Sequence, residues 1–292
     1  MISQLSRVTA IRRAAVAACL VVTLVLAACD WRGPDPTEAS LMAPAGPFTV
    51  GTVVVPSSAG FGGGTIYYPS NNPGPFAEIS IAPGFIENQS AIAEWGPRLA
   101  SNGFVVITIN TTNGFIDPTA RSTEQRQALD YVAAQAQVSS SPIFGKVDSN
   151  RRGVAGHSMG GGASLISIQS DPNVDAAMPL APWNSSTNFS NINRPVLIFA
   201  CQNDGIAPVG SHASPFYNSI PATTKKMYLS VTGGDHFCAN SPTGASGTAG
   251  KWGVAFFKKF LDVDTRYDPW VCGASKPVAG SALNEVRTTC PF

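Results

Sequence analysis

Residues 156–162 read GHSMGGG, and four glycines around a single serine leave the backbone few options. The run RRGVA precedes them and the small-residue stretch GGASLISIQ follows, so strand pattern gives way to helix pattern within a few residues. A turn that tight strains its central residue, and the residues two positions away must lack side chains for strand and helix to approach. Gly156, Ser158 and Gly160 thus fill G-x-S-x-G in the context where that pattern displays a nucleophile; the pentapeptide alone could be a chance glycine turn.

The remaining chain supplies the frame such a turn needs. AEISIAP, FVVITIN, RRGVAG, AAMPLAP, PVLIFAC and KKMYLSV are short apolar runs, mostly separated by helix-length segments. That alternation predicts an α/β fold, with a mostly parallel central sheet flanked by helices. Helices are expected over 119–138, 160–169 and 250–261, the last with Val254, Phe257 and Leu261 on one face. FTVGTVVV and GGTIYYP, β-rich and bounded by turns, read as an opening antiparallel pair.

A serine hydroxyl attacks once a base removes its proton, and the base needs a carboxylate to fix its tautomer. The chain has 3 histidines. His157 adjoins the serine, where its side chain diverges from the hydroxyl and is left to line the cleft or to pack. His212 lies in a turn-rich segment, where a surface or supporting role is sufficient. His236, in TGGDHFCAN after KKMYLSV, lies late in the chain on a glycine-rich loop, and the α/β-hydrolase order of serine, acid, histidine selects it. Asp204 ends the strongest apolar run of the second half. Asp171 and Asp175 sit nearer a helix end, where capping accounts for them, and Asp235 stands beside the histidine itself. Ser158, Asp204 and His236 are therefore the expected catalytic residues. The amides of Met159, after the serine, and Phe85, after ISIAPG, are the expected oxyanion donors.

At 292 residues, 44% hydrophobic, 13% charged and formally +1, the chain suits one large globular domain and carries no basic patch for nucleic acid. Arg7, Arg12 and Arg13 followed by AAVAACLVVTLVLAA read as a signal peptide over 1–28. LAAC resembles a bacterial lipobox, with Cys29 the lipidated residue and a membrane anchor; ordinary cleavage nearby is the other fate. Either way the protein is expected to be exported. Residues 29–47, rich in proline and small residues, read as a linker, and 48–292 as the catalytic domain. Setting aside Cys19 and Cys29 leaves Cys201, Cys238, Cys272 and Cys290, enough for two disulfides in an oxidising compartment and three possible pairings. A bond between Cys201 and Cys238 would clamp the Asp204 loop to the His236 loop, leaving Cys272 and Cys290 to staple the C-terminus. No close Cys-x-x-Cys spacing suggests a metal.

Taken in order, APGF, GHSMGGG, LAPWNSS, LIFACQNDGIAPV, GGDHFCAN, DTRYDPWVCG and TTCPF resemble the bacterial cutinases and polyester hydrolases, including the PET hydrolases, over nearly all of 48–292. The resemblance implies one α/β-hydrolase domain without a lid, an open groove, no cofactor, a monomer, and an acyl-enzyme mechanism on hydrophobic polyesters. A short-chain triacylglycerol lipase or general esterase is the alternative. It implies the same roles for Ser158, Asp204, His236, Phe85 and Met159, and adds Trp183 as an aromatic wall with Ile206 opposite; Phe85, Met159, His157 and Phe237 join them as substrate contacts. It places His212 and Phe216 behind Trp183, where some relatives carry smaller residues. A pair Cys201–Cys238 is similar to the PET-hydrolase branch. The sequence departs from the most PET-adapted pattern at Phe85, where tyrosine is common, at His157 in place of tryptophan, and at Phe237 in place of a small residue.

Overall fold

Valine, isoleucine and phenylalanine concentrate in short runs, and most of those runs between Val50 and Val231 become strands. A computed structural model describes residues 33–244 and 246–292, so the expected signal segment and Cys29 lie outside the described residues. In chain order the strands are β1 (Val50–Val55), β2 (Gly64–Pro69), β3 (Phe76–Ala82), β4 (Val105–Ile109), β5 (Val147–His157), β6 (Ala176–Leu180), β7 (Val196–Cys201), β8 (Lys226–Val231) and β9 (Leu283–Thr288). They form one sheet ordered β1-β2-β4-β3-β5-β6-β7-β8-β9. The stretch from β4 to β8 is parallel throughout. The expected opening pair is antiparallel and continues antiparallel onto β4, and β9 closes the other edge antiparallel to β8.

Strand alternation sends successive side chains to opposite faces. Ile79 and Ile81, Met178 and Leu180, Leu197 and Phe199, and Met227 and Leu229 point to the face covered by α2 (Trp95–Ala100) and α6 (Thr248–Phe260). Val154, Ala177, Val196, Ile198 and Tyr228 point to the other, covered by α3 (Pro118–Gln135), α4 (Met159–Ser170) and α5 (Ala213–Ser219). Strands buried on both faces need continuous apolar runs, which is why the central strands were legible. The three expected helices are α3, α4 and α6, with ends shifted by one to three residues. Between β6 and β7, residues 181–195 form turns and bends and hold no helix.

The segment before Phe48 is more ordered than its composition indicates. Thr37 caps a short helix α1 (Glu38–Met42), its hydroxyl accepting from the Ser40 amide. Leu41 is buried in the core shared with α6, Arg98 of α2 donates to the Leu41 and Ala43 carbonyls, and the Gly46 amide donates to Ser101 Oγ at 2.8 Å.

Candidate active site

β5 ends at His157 and α4 begins at Met159, so Ser158 alone makes the turn. Its φ of 54° and ψ of −117° lie where a residue with a side chain rarely rests. Backbone bonds hold it there: Ser158 N donates to the Leu180 carbonyl at 3.0 Å, and the Ser158 carbonyl accepts from Gly162 at 3.0 Å and Trp183 at 2.8 Å. A Cβ at Gly160 would stand 2.1 Å from the Ala82 carbonyl oxygen of β3, and one at Gly156 would stand 2.5 Å from the Gly160 carbonyl. Both glycines are thus required by close approach of backbone to backbone, as the motif predicts.

Asp204 and His236 lie on the loops that follow β7 and β8, and the disulfide Cys201–Cys238 joins those loops. Cys272–Cys290 is the second bridge, so the pairing is the one that clamps. His236 Nδ1 donates to Asp204 Oδ2 at 2.7 Å, and both residues are buried. Asp204 Oδ1 accepts from the amides of Ile206 at 2.8 Å and Ala207 at 2.7 Å. Burial pushes the Asp204 carboxyl up, but the His236 hydrogen bond and charge and those two amides outweigh it, and the group rests below its ordinary value. With Nδ1–H committed to the carboxylate, Nε2 keeps its lone pair as the basic nitrogen.

The apolar residues expected around the serine stand open to solvent: Phe85 is 45% exposed, Ile206 57% and Phe237 52%. Phe115, which the sequence did not single out, is 70% exposed and meets Phe85 edge to face at 5.5 Å. Trp183 is half-buried, and the hydrogen bond its backbone amide donates to the Ser158 carbonyl ties it to the turn. Met159, half-buried, opens α4, where first-turn amides have no partner within the helix.

His157 corrects an expectation. It is 1% exposed and its ring nitrogens face Glu87 Oε2 at 2.9 Å and the His236 carbonyl at 3.0 Å, so it supports the histidine loop and offers substrate no surface. Two charged residues escaped sequence reasoning. One is Glu87. The other is Arg121 of α3, fully buried, which donates to the Pro83 carbonyl at 3.0 Å and to those of Gly114 and Ile116 at 3.1 and 3.2 Å, bracing the turn that presents Phe85. No run or spacing marks either residue, because each acquires its partners through tertiary folding.

A strained serine between a parallel strand and a helix, with a buried aspartate–histidine pair on later loops, defines an α/β-hydrolase. The chain belongs to the PET hydrolase-like family, whose profile matches residues 27–291, and is a carboxylic-ester hydrolase. It is 44% identical over 263 residues to the bis(hydroxyethyl) terephthalate hydrolase of Streptomyces coelicolor, covering 89% of this chain and 82% of that one. Cutinase 1 of Thermobifida cellulosilytica is 43% identical over 89% of this chain and 98% of its own. Cutinase cut1 of Thermobifida fusca is 42% identical over 99% of this chain and 91% of its own.

Proposed function

We propose that the protein cleaves hydrophobic polyesters through an acyl-enzyme, with Ser158 as nucleophile, His236 as base and Asp204 as its orienting acid. The observation that carries this is the 2.7 Å bond from His236 Nδ1 to Asp204, which leaves Nε2 basic on a loop held to the residue beside Ser158. His236 takes the hydroxyl proton as Ser158 Oγ bonds to the ester carbonyl carbon. The oxygen that becomes negative lies against the amides of Phe85 and Met159. Collapse breaks the bond to the alcohol, which leaves with the proton from His236. Water, deprotonated by the same imidazole, then adds to the acyl-serine and releases the acid and the free enzyme.

Exposed Phe85, Ile206 and Phe237, with Trp183 at the turn, favour a broad apolar ester over a small polar one. The names of the relatives, cutinase and bis(hydroxyethyl) terephthalate hydrolase, and of the PET hydrolase-like family favour polyesters including PET. The signal-like residues 1–28 and two disulfides support export, with Cys29 as a candidate lipid anchor. A fluorophosphonate probe should label Ser158 stoichiometrically, and polyester films should release soluble acids faster than an emulsified triglyceride at equal protein. The opposite ranking would make the protein a lipase or general esterase.

A further inference from the structure

Glu87 lies on the turn after β3, and a single oxygen of its carboxylate does two things. Oε2 accepts from the Gly84 amide at 2.6 Å and meets His157 Nδ1 at 2.9 Å. His157 Nε2 faces the His236 carbonyl at 3.0 Å. A carbonyl only accepts, so Nε2 is the donor to it, while Nδ1 faces the Glu87 carboxylate. Burial pushes the Glu87 carboxyl up, but the hydrogen bond and charge of His157 and the Gly84 amide outweigh it and hold the group below its ordinary value.

The chain of bonds starts at the residue before Phe85, passes through the residue before Ser158, and ends on the backbone of His236. Turns following β3, β5 and β8 therefore meet on two side chains. There is little slack between them: a Cβ on Gly84 would lie 2.7 Å from Glu87 Oε2 and 3.0 Å from the Ser158 Cβ. Asp204 already fixes the His236 ring, whereas His157 holds its main chain. A carboxylate that merely shaped its own turn would need the Gly84 bond alone; this one also engages a buried ring whose centroid is 4.7 Å from that of His236.

We propose that Glu87 and His157 are positioning residues, one hydrogen-bonded pair that sets the oxyanion turn and the His236 loop against Ser158 together. The proposal rests on the triad reading above. Its test is kcat and KM on a soluble p-nitrophenyl ester for Glu87→Ala, Glu87→Gln, His157→Phe and the double variant Glu87→Ala/His157→Phe, each with a melting curve. Glu87→Ala should lower kcat about 10-fold or more with KM within about twofold, because misplacement acts on the transition state. Glu87→Gln should keep more kcat than Glu87→Ala: its amide oxygen, standing where Oε2 stands, still accepts from Gly84 and faces His157 Nδ1, and only the charge is lost. His157→Phe keeps a ring against His236 and Phe237 but should fall as far as Glu87→Ala, and the double variant no further. The pair is overturned by an unchanged kcat in Glu87→Ala, by a glutamine no better than alanine, by a loss confined to KM, or by losses that multiply in the double variant. Should Glu87→Ala fail to fold, Glu87→Gln above His157→Phe is the expected result, and His157→Phe at wild-type rate overturns it. Wild-type Ser158 is titrated with a fluorophosphonate alongside. Failure to label strikes the triad reading, whereas a labelled enzyme with indifferent variants strikes the pair alone.

Discussion

His212 stacks on Trp183, with ring centroids 6.0 Å apart and planes inclined by 29°. Phe216 in turn meets His212 edge to face at 5.9 Å, is itself fully buried, and packs on Phe189 at 5.3 Å. The indole thus has a two-ring wall behind it, anchored in the core. His212→Ser with Phe216→Ile should free Trp183 and raise terephthalate release from PET relative to short-chain ester turnover. Lost core volume should cost about 1–3 kcal/mol, seen as a lower melting temperature. An unchanged or lower ratio of the two activities would sink the idea.

Ser158→Ala should abolish ester hydrolysis while leaving the melting curve close to wild type. Members of such a triad act as a unit, and the loss in a comparable protease is about 10⁶ in turnover. His236→Ala should fall similarly. Residual activity above about 1% in Ser158→Ala would remove that serine from the mechanism.

The disulfide Cys201–Cys238 closes a loop with a sequence separation of 37 and ties the turn bearing Asp204 to the turn bearing His236. Replacing both cysteines by serine should cost about 2–4 kcal/mol of stability, and should reduce kcat at temperatures well below melting. Removing Cys272–Cys290, which holds the C-terminal segment, should lower stability with kcat kept. Equal kinetic effects from the two bridges would contradict the clamp.

Acid should weaken the Asp204–His236 pair in a defined window. The Asp204 carboxyl rests below its ordinary 3.8, so the folded chain binds that proton less readily than the unfolded chain. The stabilisation is then full above the unfolded carboxylate value and is lost as pH falls through the folded one. Wild type should melt above Asp204→Asn at about pH 7, and the gap should narrow below about pH 4. Melting both proteins across that range checks it; a gap that stays constant to pH 3 would refute the assignment.

The parallel strands and the serine turn were legible because local physics dictates them: two-sided burial demands uninterrupted apolar runs, and the Ser158 backbone demands glycine at 156 and 160. The edge strand β9 was not. LNEVRT has one buried residue, Leu283, and places Glu285 and Arg287 on a half-exposed edge, so only the register against β8 makes it a strand. Arg121, Glu87 and the partners of His157 were hidden for a different reason. Charged residues on a helix or turn read as solvated, and their burial depends on carbonyls and amides contributed by segments distant in sequence, such as Pro83 for Arg121 and the His236 loop for His157. The helix α1 falls between these cases: Thr37 and Ser40 form a local cap, but the proline-rich flanks obscured it.

Phe85, Ile206 and Phe237 remain uncovered on the loops after β3, β7 and β8, and Phe115 on the loop after β4 beside Phe85. On a solid ester those side chains make adsorption precede chemistry, so the protein works as a monolayer. Its rate then saturates as more protein is added, once the solid is coated, and rises with the area of solid presented at a given protein dose. Grinding the material should accelerate its loss, whereas a detergent that competes for the same aromatic surface should slow the attack on film without touching the turnover of a dissolved ester.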